Sequence, residues 1–326
     1  MCLYLLPRFV IGPDSKAGFQ KLFDEVNYHW WHMLLQIRNF YENTIWDVLL
    51  HTWYLSADFQ LYLLALLTLL VLKGKKMALL AAFTVYSLIG CAFGTWVVAR
   101  EHLLPFMIFP GPVVPLLTRT LNEFYIRPYY HAVCYFSGCI TFLLMVDFRK
   151  ANVTKGMQLA GWCVSVSCGL ISVFAKLPWY RSPNPVSETV TLFVAFFDRM
   201  LWSVFIIWIA LSCSSGRGGF VGKFLSWNAF VPLSKLSFGV YLIHLPFIQF
   251  MLHASKERVY WSMFNLVTLW FGVLVWSFLL SYLAFLACEG PTTKLNSLIF
   301  GRIIGGGGAR KEKQAVQSTP CVDSQQ

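Results

Sequence analysis

The sequence predicts an all-α protein, a polytopic helical bundle with about seven membrane spans, and three observations carry that reading. Hydrophobic residues make up 57% of the chain and charged residues 13%, against about 45–50% and about 25% in a soluble domain. Seven stretches are long and apolar enough to cross a bilayer, which takes about 20 such residues. Lysine and arginine are distributed unequally between alternate loops, as in chains oriented by a membrane. The mean hydropathy of +0.59 agrees, and the 17% aromatic content suits wide membrane interfaces. A soluble enzyme, a disordered scaffold and a nucleic-acid binder all fit poorly. The net charge of +11 reads as topology rather than nucleic-acid affinity.

The expected spans are 53–72, 77–98, 129–146, 156–174, 190–211, 231–252 and 262–287. Those at 77–98, 156–174 and 262–287 carry no Asp, Glu, Lys or Arg. Loops 73–76, 147–155, 212–230 and the tail 288–326 hold 13 basic residues in 71 positions; the alternate set holds 11 in 106. The first set is therefore expected in the cytosol, with the C-terminus. The sequon Asn152-Val153-Thr154 then falls on the cytosolic side and should be unmodified. Residues 1–52 read as an extracytosolic segment, 53–300 as the transmembrane domain and 301–326 as a disordered cytosolic tail. Residues 1–12 are apolar but too short to span, and look like the end of something longer. The stretch 103–117 carries four prolines, which argues for an interfacial or re-entrant loop. Six of nine cysteines fall in spans, counting Cys213 at a span end, and no CxxC or HExxH occurs, so neither a structural disulfide nor a metal site is expected.

Polar residues inside spans need a reason, because an ionised side chain at bilayer depth costs about 2.5–3.5 kcal/mol. Asp198 and Arg199 stand at the middle of their span. Adjacent helical residues point about 100° apart, so each needs a partner on another helix or a water-filled cavity. In span 231–252, Ser234, Ser237, Tyr241 and His244 share one helical face, with Lys235 near its cytosolic end and Pro246 a possible kink. Such a stripe lines a cavity more readily than a lone packing histidine does. Asp58, in line with Tyr62, is either a cavity residue or an end-of-helix charge reaching the interface. The loop 212–227 fails both the phosphate-loop and the dinucleotide patterns. Its Arg217 and Lys223, with Lys235, remain candidates for the phosphates of a donor such as coenzyme A. Seven spans also describe a G-protein-coupled receptor, but Asp198-Arg199 stands mid-way along the fifth span rather than at the cytosolic end of the third.

The strings NYHWWHMLLQIRNF (27–40), TWYLSADFQLYLLALLTLL (52–70) and FYIRPYYHAVCYFSGCITFLLM (124–145) fit together with the run from Asp198 to His244 and with CEGPTTKLNSLIF (288–300). Together they resemble the nose-resistant-to-fluoxetine branch of the acyltransferase-3 family, found in invertebrates. That resemblance implies a multi-pass membrane protein transferring acyl groups other than aminoacyl groups. Carried over by position, Trp30, Trp31, Asn39 and Phe40 match one family loop, and Trp53, Tyr54, Leu55, Asp58 and Gln60 match the next. Arg199, Trp202, Gly216, Gly218, Gly219, Tyr241, His244, Glu289 and Pro291 match later motifs. The family's proposed catalytic histidine lies in a Gly-His pair within an opening helix, and this sequence has no Gly-His dipeptide. The usual cysteines flanking the Trp-Trp loop are also missing, and Lys235 stands for a usual arginine. The resemblance therefore leads us to expect a chain lacking the family's N-terminal part.

The function expected is that of a multi-pass membrane acyltransferase-like protein, with acyl-CoA as possible donor and no bound cofactor. The alternative is a non-catalytic membrane protein that binds or moves lipids or hydrophobic drugs. No catalytic residue is assigned. Arg199, Asp198, Tyr241, His244, Ser237 and Asp58 are the cavity-lining candidates. Expected partners are membrane lipids and a hydrophobic small molecule or acyl acceptor, in the plasma membrane or an endomembrane.

Overall fold

The computed structural model describes residues 15–44, 47–108, 114–181, 186–256, 260 and 262–304, with side chains as far as residue 299. Among these residues every regular element is helical. Helix α1 spans Ser15–Leu34, and 3-10 turns at Arg38–Phe40 and Leu50–Thr52 lead into α2, Trp53–Val71. Then come α3, Lys76–Glu101; α4, Val114–Thr120, with a π turn at Leu121–Tyr125; α5, Pro128–Lys150; α6, Lys155–Phe174; and α7, Leu177–Arg181. The chain continues through α8, Glu188–Ser214; α9, Gly219–Leu225; α10, Phe230–Ala254; α11, Met263–Ala284; a π turn, Phe285–Glu289; and α12, Gly290–Ile304.

Seven helical segments are long and apolar enough to cross a membrane: Leu50–Val71, Lys76–Glu101, Pro128–Lys150, Lys155–Arg181, Glu188–Ser214, Phe230–Ala254 and Met263–Ile299. They match the expected spans one for one. Their ends have local causes. Gly74 turns the α2–α3 connection at φ +79°, which only glycine adopts without strain. Pro128 opens α5, where its missing N–H is no loss. Thr154 of the sequon caps α6, its Oγ1 accepting the Met157 N–H at 3.3 Å. Ser262 caps α11 through the Asn265 N–H at 3.1 Å.

The chain forms two compact units, up to Phe230 and from Val231 onward. In the first, α5 packs against α2, α3 and α8, and α8 packs also on α3 and α6. Phe83 and Phe136 stack at 5.6 Å in a core shared by α2, α3 and α5, with Leu61, Ala65, Leu79 and Ala132. A Cβ on Gly90 would meet the Tyr129 carbonyl oxygen at 2.8 Å and Ala132 Cβ at 2.9 Å, so glycine is what lets α3 lie this close to α5. At the ends of α5 and α8, Arg149 and Arg217 bind backbone carbonyls across the two helices. The two helices therefore run parallel. In the second unit, α10 has no buried residue and runs through Pro246 unbroken. It meets α11 where Ser281 Oγ donates to the Leu236 carbonyl at 3.0 Å beside Gly239.

One segment differs from the sequence-based expectation. Helix α1 was not foreseen within residues 1–52. Its buried Gly18, Glu25 and His32 recur every seventh residue and so share one face. In the proline-rich stretch Leu103, Phe106 and Ile108 are buried, with Phe106 against Trp179 at 5.3 Å, while Val114 is exposed. Residues 109–113, 1–12 and the expected tail beyond 304 lie outside the described residues.

Candidate functional site

The site begins with two adjacent charges. Asp198 and Arg199 diverge to opposite neighbours, as their angular offset requires. Asp198 faces α6: Ser172 Oγ donates to its Oδ1 at 2.6 Å, and Lys176 Nζ lies 3.0 Å from the same oxygen. Arg199 faces α5, donating from Nη2 to the Tyr130 hydroxyl at 2.8 Å, with its guanidinium over the Tyr130 ring at 4.4 Å. Tyr130 stands in the first turn of α5, and Lys176 lies just beyond α6. The pair is mid-helix in α8 yet level with the ends of its neighbours, so it stands nearer one end of the bundle than its place in the span suggested.

Below Arg199 a groove of about 500 Å³ opens between the parallel helices α5 and α8. Gly138, Phe142 and Met145 form one wall, and Trp202, Ile206 and Ile207 the other. Among the described residues Arg199 is the one charged lining residue, with Cys134, Ser137, Thr141 and Ser203 supplying the remaining polar atoms. Ser203 donates to the Arg199 carbonyl at 2.8 Å. Arg199 Nε is buried without a hydrogen-bond partner among the described residues. A Cβ added to Gly138 would meet nothing within 4 Å. The groove thus combines an apolar trough with a partly uncommitted guanidinium at its head.

The other expected residues are not among the described groove residues. Ser237, Tyr241, His244 and Lys235 belong to the second unit. There Ser237 donates to the Ser234 carbonyl at 2.7 Å, His244 Nδ1 lies 3.1 Å from the Val240 carbonyl, and the Tyr241 and His244 rings are 6.0 Å apart. Asp58 is exposed on α2 and is not among the groove residues. Arg217 binds backbone carbonyls: Nη1 donates to Phe148 at 2.9 Å and Nη2 to Ala151 at 2.7 Å and Arg149 at 3.4 Å. It caps the end of α5, where unpaired carbonyls attract a cation. Lys223 remains exposed on α9. Among the described residues no cluster of three or more His, Cys, Asp or Glu is arranged to hold a metal ion.

The two motif loops meet one another. Asn39 and Gln60 exchange amide hydrogen bonds at 3.1 and 2.9 Å, and Gln60 also donates to the Gln36 carbonyl at 2.8 Å. Trp53 stacks on His131 at 5.1 Å, and His131 Nε2 lies 2.8 Å from the Tyr125 carbonyl in the π turn. Beside them Arg38 is buried, 3.5 Å from both Glu25 and Asp47. Glu25 in turn accepts the N–H groups of Val48 and Leu49. Burial, reinforced by Asp47, pushes the Glu25 carboxyl above the usual range, against the pull of those N–H groups and Arg38.

A family model described as an acyltransferase domain, Acyl_transf_3, matches residues 3–286. The chain belongs to the acyltransferase-3 family. Within that family it is similar to Nose resistant to fluoxetine protein 6 of Caenorhabditis elegans, at 26% identity over 295 residues. The alignment takes in 83% of this chain but 34% of the relative, so the chain spans about a third of the length of the curated protein it matches. No solved structure matches. The match covers the groove and both motif loops, so the family assignment and the α5–α8 geometry concern the same residues. The chain is thus an acyltransferase-3 protein with seven membrane-capable helices, an integral membrane protein by composition and family.

Proposed function

We propose that the chain transfers acyl groups other than aminoacyl groups, holding the acyl chain in the α5–α8 groove with its carbonyl at Arg199. The observation that carries this reading is the unpartnered Arg199 Nε at the head of an apolar trough. A buried donor left unsatisfied costs about 1–3 kcal/mol. A thioester or ester carbonyl would relieve that cost, and more so as its oxygen gains negative charge in the transition state. From Cys134 to Met145 the groove wall runs about 16 Å at 1.5 Å per residue, enough for a medium-length chain. Acyl-CoA is the donor this reading favours.

One observation favours the second reading, non-catalytic binding or movement of lipids or hydrophobic drugs. No His, Asp or Glu is among the described groove residues, so the described lining supplies no general base. Full-length protein in nanodiscs decides between them. With radiolabelled acyl-CoA and membrane lipid as acceptor, acyl transfer is expected to fall about 10²–10³-fold in Arg199→Gln, the effect of losing one oxyanion donor. Gly138→Leu should block the groove without strain and abolish chain binding. Binding that Gly138→Leu removes, with no transfer by the wild type, would establish the second reading. Transfer unaffected by either substitution would remove the groove and Arg199 from the reaction and end the second reading.

A further inference from the structure

A second pocket, of about 400 Å³, lies where α3 ends and α5 begins, at the opposite end of the bundle from the Arg149 and Arg217 contacts. Its floor is aromatic: Phe93 meets Tyr129 edge-on at 4.8 Å and Trp96 at 5.4 Å. Two guanidiniums stand above that floor, each laid on a ring. Arg100 covers Trp96 at 5.3 Å, and Arg127 covers Phe40 at 5.4 Å while its Nε donates to the Asn122 carbonyl at 2.7 Å. Glu101 is occupied by Arg119 at 3.1 Å and by Arg100 Nε at 3.5 Å, which leaves the Nη edge of Arg100 for another acceptor. Glu123 keeps its carboxylate exposed at the rim.

We infer that this pocket binds the headgroup of a membrane glycerophospholipid bearing an ammonium group. The phosphodiester lies between Arg100 and Arg127, whose fork geometry suits two phosphate oxygens. The ammonium pairs with Glu123. The glycerol backbone rests on Phe93 and Tyr129. Three features support a lipid over a soluble anion. The pocket sits at the ends of two spans, where headgroups lie. Its base is aromatic and continuous with the membrane-level surface of α3. Both guanidiniums lie over rings, which favours these positions before a ligand arrives. This site is separate from the α5–α8 groove, and its test does not depend on acyl transfer.

The experiment is native mass spectrometry of the full chain released from micelles loaded with phosphatidylethanolamine, phosphatidylglycerol or inorganic phosphate. One retained phosphatidylethanolamine per chain is expected, with retention falling about tenfold in Arg100→Gln. That residue is largely exposed, so its loss leaves the fold intact. The double substitution Arg100→Gln with Arg127→Gln should remove the adduct altogether. Glu123→Gln should abolish the preference for phosphatidylethanolamine over phosphatidylglycerol. Equal retention by wild type and Arg100→Gln would overturn the inference. So would displacement of the lipid by inorganic phosphate at matched concentration, which would make the site one for a free anion.

Discussion

The helices before Phe230 and those after it are similarly apolar, yet they are assembled differently. In the first unit, buried side chains from α2, α3, α5 and α8 share cores, and buried polar groups such as Ser172 and Asp198 find partners on a neighbouring helix. In the second, α10 buries no residue and the buried positions of α11 are two serines, Ser277 and Ser281. Lipid tails are as apolar as leucine, so hydropathy alone does not drive helices together. Close approach and interhelical hydrogen bonds do, and the first unit has many of both. The difference teaches that a membrane span and a piece of protein core are separate properties, and that only the first is written in hydropathy.

The largest expected effect tests that contrast directly. Gly90→Val drives a side chain into the Tyr129 backbone, which cannot rotate away. It should cost at least the roughly 1–3 kcal/mol of ordinary overpacking and sharply reduce folded protein on size-exclusion chromatography. Gly239→Ala in the second unit meets the Ser281 side chain, its hydroxyl and its Cβ at 3.2 Å, rather than a carbonyl oxygen, so its cost, which includes the Ser281–Leu236 hydrogen bond, should stay below that of Gly90→Val. Equal losses from the two would erase the distinction between the units. Next in size is Asp198→Asn. It removes a charged acceptor shared by Ser172 and Lys176, worth about 1.5–3 kcal/mol, and should fall at the low end because the Lys176 side chain keeps 29% of its surface exposed and can reach water. Thermal melts in detergent measure it. Arg217→Gln should be milder, loosening the end of α5 by about 1 kcal/mol through lost carbonyl bonds. Faster amide exchange at 148–151 is the signature.

The smallest effect concerns pH. His29 and His32 approach within 2.9 Å through their Nδ1 atoms, and His32 stacks on Tyr41 at 3.5 Å. Burial pushes both imidazoles below the usual histidine range; Arg38 adds to this for His29, and His29 then Arg38 for His32. As pH falls below about 6.5, the unfolded segment takes up protons that the folded one refuses, so stability declines on acidification. Glu25 has the opposite sign. Its raised carboxyl favours the folded form on protonation, in a more acidic window. Limited proteolysis of the 15–52 region should therefore speed up a few-fold from pH 7.5 to 5.5. A double His29→Gln, His32→Gln variant should flatten that profile.

Much of the bundle was legible because a bilayer constrains sequence strongly: each span must satisfy its own backbone, and so announces itself as an apolar run. Arg199 was legible for the same reason, as a charge that hydrophobic surroundings make conspicuous. Its groove was not. Gly138, Phe142, Trp202 and Ile206 are ordinary residues of apolar helices, and nothing in their spacing shows that α5 and α8 run side by side. Arg217 illustrates the converse. A cation in a glycine-rich loop suggested phosphate, whereas its acceptors are carbonyls at the end of a helix some 70 residues earlier. Helix α1 escaped because its polar face dilutes the apolar signal, although Gly18, Glu25 and His32 at a period of seven were there to be read.

By itself, then, the sequence determined the helical class, the seven spans, their approximate ends and the family, since all of these follow from local composition and from motifs contiguous in the chain. Only the tertiary structure decided which helices are neighbours, that Asp198 and Arg199 part toward α6 and α5, and that Arg199 heads a groove with Nε unspent. The reason is physical. Transfer of a helix into a membrane depends on its own residues, whereas the partner of a buried charge depends on close approaches, such as that at Gly90, between segments distant in sequence.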